Sequence, residues 1–310
     1  MPLITIENVS KSFGTKKVFE NISLSIAQNQ IYGVIGLTGA GKTTLFHLLL
    51  GQEDPNTGNI KINGKAVNSS EVKRIAGYST QEPSFYPQLT VLENLEFFAA
   101  LYDLTKKKTK ERLDEVLLLT GLEKEKHTLA KNLSGGMRKC LDIACALIHD
   151  PQIIVLDEPT ADLDPLMRKH IWAMLKEIKS QGKTIVLSSH YLDEIEHLCD
   201  EIAIIHNKKV LREGTLDEMK HIFSGERQIV LRTKTQDYQK IRDAFKKERL
   251  AITTIREEQG DLIITTKKTQ HLIRKALHIL DNLDEDLISC DVRPPHLHEV
   301  FEQLTKGVAQ

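Results

Sequence analysis

The chain has 310 residues, enough for a large domain plus a smaller one, with 40% hydrophobic and 27% charged residues. Lys plus Arg number 42 against 43 Asp plus Glu, a formal net charge of -1, so no global field draws the chain to nucleic acid or to an anionic membrane. No apolar run approaches the ~20 residues that span a bilayer, and the opening "MPLITIENVS" reads as a strand, not a secretory signal.

In chain order, "LITIENVSKSF", "VFENISLSI" and "IYGVIG" predict three strands within residues 3–35, with polar turns between them. A helix follows from Thr43, then a hairpin around "GNIKINGKAV" and a strand in "RIAGYSTQ" ending at Gln81. From about 88 to 150 helical periodicity dominates and predicts a helical subdomain. Its basic run "KKKTKER", Lys106 to Arg112, reads as a solvated helix face. Next come "QIIVLDEP", "TIVLSSH" and "EIAIIHN", apolar strands separated by helices, the pattern of a parallel sheet covered on both faces.

Beyond Ser224-Gly225-Glu226 the pattern becomes β-α-β-β-α-β-α, closing with "HEVFEQL". That order predicts a small ferredoxin-like α+β domain, with Gly260 of "EQGD" at a hairpin turn. The expected domains are therefore 1–223 and 225–310. Cys140, Cys145, Cys199 and Cys290 show no paired spacing and read as reduced core residues of a cytosolic protein. "HLH", His296 to His298, reads as a helix start rather than a metal site.

Two stretches carry phosphate chemistry. "GVIGLTGAGKTTLFHLL" matches G-x-x-x-x-G-K-[ST] at Gly36, Gly41, Lys42 and Thr43, between a strand and a helix as that motif requires. Gly36, Gly39 and Gly41 let consecutive backbone N–H groups face a polyphosphate, Lys42 adds a point charge, and the Thr43 hydroxyl suits Mg²⁺. The strand "IIVLDE" presents Asp157 and Glu158 at its end, one acid for the metal and one for an attacking water. The second stretch, "LSGGMRKCLDIACALI", opens a predicted helix with Ser134, Gly135 and Gly136. Met137, Cys140, Leu141, Ala144, Leu147 and Ile148 follow at helical spacing. A serine and bare backbone at a helix start receive anions, so the chain carries a second phosphate receptor.

With "LSGGM" added, residues 1 to 220 resemble the nucleotide-binding subunit of an ABC transporter. The resemblance implies an α/β P-loop NTPase core with a mostly parallel sheet, an N-terminal antiparallel β subdomain and a helical subdomain. It implies ATP binding by Phe13, Gly36, Leu37, Thr38, Gly39, Ala40, Gly41, Lys42, Thr43, Thr44 and Gln81, with Phe13 stacking on adenine. Mg²⁺ would be held by Thr43, Gln81 and Asp157, and catalysis would fall to Glu158, His190 and Lys42. Leu133, Ser134, Gly135, Gly136 and Met137 match the signature that closes over a partner subunit's ATP in a head-to-tail dimer. Asp162 and Asp164, in "ADLD", match the loop that joins the two sites. Leu37 and Thr38 replace a common proline and asparagine, and Met137 replaces a glutamine; none of these changes removes a charged or metal-binding group.

The same resemblance implies a homodimer or heterodimer on the cytoplasmic face of the membrane, joined to an integral-membrane permease, with no nucleic-acid partner. Phe85, Tyr86, Leu89 and Val91 form an apolar-aromatic cluster that either receives a short partner helix or simply packs the helical subdomain. The export-type subgroup, with a C-terminal pattern like "PPHLHEVFEQLT", is the nearest match. The alternative is a soluble ABC ATPase acting on ribosomes or DNA; a single cassette, no long coiled coil and a neutral balance of charge weigh against it. A regulatory module would need damaged catalytic residues, whereas Lys42, Asp157, Glu158 and His190 are all intact.

Overall fold

A computed structural model of the chain describes residues 2–67, 70–221, 227–248, 250–258 and 260–293. Two compact units emerge, Met1–Leu216 and Asp217–Gln310. The boundary expected at 224–226 lies outside the described residues, as do "HLH", the "PPHLHEVFEQLT" pattern and the last expected helix.

In chain order the first unit holds β1 (Ile4–Phe13), β2 (Lys16–Ile26), β3 (Ile31–Gly36), α1 (Lys42–Leu49), β4 (Thr57–Ile62), β5 (Lys65–Ala66), α2 (Ser70–Ile75) and β6 (Ala76–Ser79). Then come α3 (Val91–Leu101), α4 (Lys106–Thr120), α5 (Gly135–Leu147), β7 (Ile153–Asp157), α6 (Pro165–Ser180), β8 (Thr184–Ser189), α7 (Leu192–Leu198), β9 (Glu201–His206) and β10 (Lys209–Thr215), with α8 (Leu216–His221) after them.

Strands β2-β1-β4-β5 form an antiparallel sheet, and the expected hairpin pairs Lys61 with Ala66 and Ile62 with Lys65. Alternating Ile4 and Ile6 of β1 pack with Leu45, Phe46 and Leu49 of α1 in one core. The main sheet has the order β10-β9-β3-β8-β7-β6 and is parallel except for β10. β3, β7 and β8 are buried at every position, which is why they read as unbroken apolar runs. Their pairing aligns Ile35 with Ser189 and Asp157 with Ser188. The loops after these three neighbouring strands therefore leave the sheet along one edge, where open α/β sheets place their ligands.

Helices α3 to α5 occupy the expected helical segment. A capping box starts α3: the Thr90 hydroxyl accepts from the Glu93 N–H, and Glu93 accepts from the Thr90 N–H at 2.7 Å. Lys106, Lys107, Lys108 and Lys110 are exposed on α4, as a solvated face requires. Arg112 instead reaches back to the Leu147 and Ile148 carbonyls, at 2.9 and 3.4 Å, and covers the end of α5. α5 lies directly against β6: a Cβ added at Gly77 would sit 2.1 Å from the Ala146 carbonyl oxygen. β6 ends at Ser79, two residues earlier than its sequence suggests, because the Ser79 side chain turns into α5 and the chain bends there.

The second unit contains β11 (Arg227–Thr233), α9 (Tyr238–Lys247), β12 (Thr254–Glu258), β13 (Asp261–Thr266), α10 (Thr269–Asn282) and β14 (Leu287–Arg293). Its antiparallel order β12-β13-β11-β14 is the ferredoxin-like arrangement. Ile229, Leu231, Leu262 and Ile264 of the sheet pack on Ile241 and Phe245 of α9 and Leu272 and Ile279 of α10. All four cysteines are free thiols; Cys140, Cys145 and Cys199 are buried and Cys290 is half-buried.

Candidate nucleotide site and the signature helix

The loop between β3 and α1 is built for close backbone approach. Gly41 has φ of 101°, and a Cβ there would meet Val18 at 2.7 Å and Phe19 at 2.8 Å. At Gly36 a Cβ would meet the Ala40 methyl and the Ile205 carbonyl oxygen, both at 2.9 Å. No side chain caps α1, so its first N–H groups are left for a ligand.

The two acids sit opposite this loop. Asp157, wholly buried, accepts hydrogen bonds from the Thr43 and Ser188 hydroxyls, both at 2.6 Å. Ser188 also accepts from the Glu158 N–H at 3.0 Å. Glu158 follows with φ of 51°, a left-handed conformation uncommon outside glycine, and its carboxylate turns back toward the loop. Lys42 Nζ donates to the Gly36 carbonyl at 3.0 Å and lies 3.4 Å from Glu158 Oε1. The other oxygen, Glu158 Oε2, meets His190 Nδ1 in a short hydrogen bond. Lysine, glutamate and histidine thus form one continuous chain of contacts.

That chain lines a cleft of about 920 Å³ together with Phe13, residues 37–44, Gln81, Asp157 and Asp162. Lys16, Lys17 and Lys208 stand around the same cleft, so a polyanion meets cations from two sides of the first unit. Phe13 is 47% exposed at the end of β1, and Lys11 Nζ lies 4.8 Å from its ring centroid. Lys11 is itself fixed by Glu53 at 2.8 Å and by the Asp54 carbonyl at 2.7 Å.

Thr43, Asp157 and Gln81 all line the cleft and carry oxygen donors, the hard set that Mg²⁺ prefers. Among the described residues no group of three or more His, Cys, Asp and Glu is gathered to hold a metal alone. That fits an ion whose remaining positions are filled by phosphate and water.

Leu133, Ser134, Gly135, Gly136 and Met137 are not among the residues lining the cleft. Ser134 is the N-cap of α5, its hydroxyl accepting from the Met137 N–H at 3.3 Å. Gly136 lies against Met167, whose Cγ would be 2.5 Å from an added Cβ. Asp164 serves α6 in the same way, Oδ1 accepting from the Leu166 and Met167 N–H groups at 2.9 and 3.0 Å. The quartet Phe85, Tyr86, Leu89 and Val91 does not form one surface: Phe85 and Val91 are buried, because the capped start of α3 turns Val91 inward. Tyr86 stays exposed and stacks edge-on against Phe97 at 4.8 Å, with Leu101 exposed on the same helix as Phe97.

Three polar residues not singled out in the sequence support the site. Ser188 ties Asp157 to the Glu158 backbone. Glu194 on α7 is buried; burial raises its carboxyl above the usual range, and Oε1 accepts from Thr160 at 2.7 Å and Trp172 at 3.2 Å. Asp142, on the buried side of α5, holds the loop that carries Gln81. An acid on an otherwise apolar helix face is the signal that marks Asp142 in the sequence.

The pattern of the family described as "ABC transporter" matches residues 19–161. Over 310 residues the chain is 30% identical to "Linearmycin resistance ATP-binding protein LnrL" of Bacillus subtilis (strain 168), covering 98% of both chains. It is 39% identical over 224 residues to "Bacitracin transport ATP-binding protein BcrA" of Bacillus licheniformis, covering 70% of this chain and 71% of that one. A solved "ATP binding subunit of ABC transporter" superposes with a TM-score of 0.66 at 31% identity, covering 72% of this chain and 93% of the other. Among the described residues no helix is long and apolar enough to cross a membrane. The chain belongs to the ABC transporter family, as an ATP-binding subunit that hydrolyses ATP to power transport.

Proposed function

We propose that this subunit drives export of a small molecule, drug, lipid or ion through a separate membrane-embedded permease, working from the cytoplasmic face as one half of an ATPase dimer. The observation that carries this reading is the contact chain from Lys42 through Glu158 to His190 facing the glycine loop, while Ser134 caps a helix away from that cleft. Relatives named for linearmycin resistance, daunorubicin resistance, bacitracin transport and Nod factor export support the direction and the class of cargo. Residues 1–223 make up the ATPase domain, and 225–310 an accessory domain that stabilises the dimer or tunes its cycle.

Phe13 stacks on the adenine, and the N–H groups of residues 37–44 with Lys42 hold the phosphates. In the cleft Lys42 is shared between Gly36 and Glu158. An arriving γ-phosphate draws Lys42 to itself and frees the Glu158 carboxylate for a water molecule. His190, hydrogen-bonded to Glu158, keeps that carboxylate aimed while it orients the water and takes its proton. Thr43, Asp157 and Gln81 would hold Mg²⁺, which would neutralise charge at the phosphates. Ser134, Gly135 and Gly136, flanked by Leu133 and Met137, close over the γ-phosphate of a second subunit, with Asp162 and Asp164 in the loop between the sites. The second subunit is an identical copy or a homologue. Losing the γ-phosphate removes charge-assisted hydrogen bonds across both sites and reopens the pair.

Glu158→Gln tests the reading. The variant binds ATP, accumulates as an ATP-dependent dimer and loses hydrolysis by about 10²–10⁴-fold, the range of a general base. Wild-type turnover in that variant refutes the assignment, and failure of the tagged chain to bring a multi-span protein out of solubilised membranes refutes the transport role.

A further inference from the structure

α5 carries more than the signature. One turn beyond Ser134 it presents Lys139, and one turn further Asp142, both toward the segment from Ser79 to Ser84. Asp142 is wholly buried. Its Oδ2 accepts from the Ser79 hydroxyl at 2.5 Å, and its Oδ1 accepts from both the N–H and the hydroxyl of Ser84, each at 2.8 Å. Lys139 Nζ donates to the Thr80 carbonyl at 2.8 Å and lies 3.8 Å from Asp142 Oδ2. The segment is thus fastened to one helix on both sides of Gln81, and Gln81 itself reaches the nucleotide cleft. Behind these bonds, α5 and β6 touch backbone to backbone at Ala146 and Gly77.

We propose that Asp142, seconded by Lys139, is a positioning residue that makes Gln81 and the signature serine two ends of one rigid element. A shift of Gln81 on to Mg²⁺ in a subunit's own cleft then moves Ser134 toward the neighbouring subunit's nucleotide. The inference rests on reading Gln81 as the contact to Mg²⁺ and Ser134 as the clasp. The chemistry explains why an acid stands here. A carboxylate offers two oxygens that only accept, and three donors plus an ammonium converge on it. An asparagine at 142 is neutral and has one accepting oxygen. Its amide N–H₂ can only donate, to a Ser79 hydroxyl that has turned round, so charge-assisted fastenings become neutral ones and the attraction to Lys139 is lost.

The test uses the full chain and titrates Mg²⁺ at saturating ATP. Asp142→Asn keeps its Mg²⁺-free ATP affinity, since the glycine loop and Phe13 are untouched. Its half-maximal Mg²⁺ concentration rises about fivefold, the effect of charge-assisted hydrogen bonds made neutral. In the Glu158→Gln background, the ATP needed for dimerisation rises in parallel. Lys139→Met, which spares the buried carboxylate, moves both readouts the same way by about two- to threefold; it carries the test should Asp142→Asn not fold. Gln81→Ala raises the Mg²⁺ requirement at least as far, and adding Asp142→Asn to it raises that requirement no further. Unchanged Mg²⁺ dependence in Asp142→Asn and Lys139→Met beside a raised one in Gln81→Ala overturns the proposal and leaves the Gln81 reading standing. So do additive effects in the double variant. No effect from Gln81→Ala removes the Gln81 reading and, with it, this proposal.

Discussion

The two helix starts that the sequence marks as phosphate receptors, at Lys42 and at Gly135, are made of different parts. The start of α1 has no side-chain cap, a left-handed glycine before it, a lysine inside its first turn and two carboxylates across the cleft. The start of α5 uses its serine as a cap, has neither acid in its first turn nor a place in the cleft, and rests a bare glycine on Met167. The first sets a lysine, two carboxylates and a histidine around one cleft, the parts that binding and cleaving a phosphate would need. The second offers a dipole, a hydroxyl and backbone only. On the function proposed above it is half of a site, and a second subunit supplies the other half.

Cutting at each start separates the two. The largest effect belongs to Lys42→Ala, which leaves Glu158 without its cation and the phosphates without theirs; ATP hydrolysis falls by about 10³-fold or more, and ATP binding falls with it in a titration. Ser134→Arg comes next. Here nucleotide affinity of the monomer stays within about twofold, while ATP-dependent dimerisation disappears and turnover drops by about 10²-fold, because a bulky cation meets the positive end of a helix. A normal ATP-dependent dimer in Ser134→Arg refutes the role of Ser134 as a clasp on a second subunit's nucleotide. Ser134→Ala has the smallest effect: losing the cap lowers thermal stability by about 1 kcal/mol. Its dimer weakens but still forms, since the helix dipole and the Gly135 and Gly136 backbone remain.

Much of the site is legible in the sequence because its chemistry demands fixed residue types at fixed spacing. Gly36, Gly41, Lys42 and Thr43 declare themselves in eight residues, and an unbroken apolar run ending in Asp157 and Glu158 predicts a buried strand with acids at its tip. The ferredoxin-like unit was readable from its order of elements alone. What stayed hidden is set by three-dimensional neighbours rather than by local pattern. Ser188 reads as one more polar residue in "LSSH", and only the parallel pairing of β7 with β8 brings it to Asp157. Asp142 lies 63 residues from Ser79, so its role needs α5 packed on β6. Val91 and Tyr86 were equivalent by composition, and the capping box at Thr90 decides which of them faces water.

Glu194 gives the molecule an optical handle. The chain has one tryptophan, Trp172, and its indole N–H donates to the same Glu194 oxygen that takes the Thr160 hydroxyl, two residues beyond Glu158. His197 stacks on the indole, with ring centroids 5.0 Å apart. A displacement of the segment bearing Glu158 therefore disturbs the hydrogen bonding of the sole indole, and nucleotide binding is expected to register as a change in tryptophan emission, without a dye.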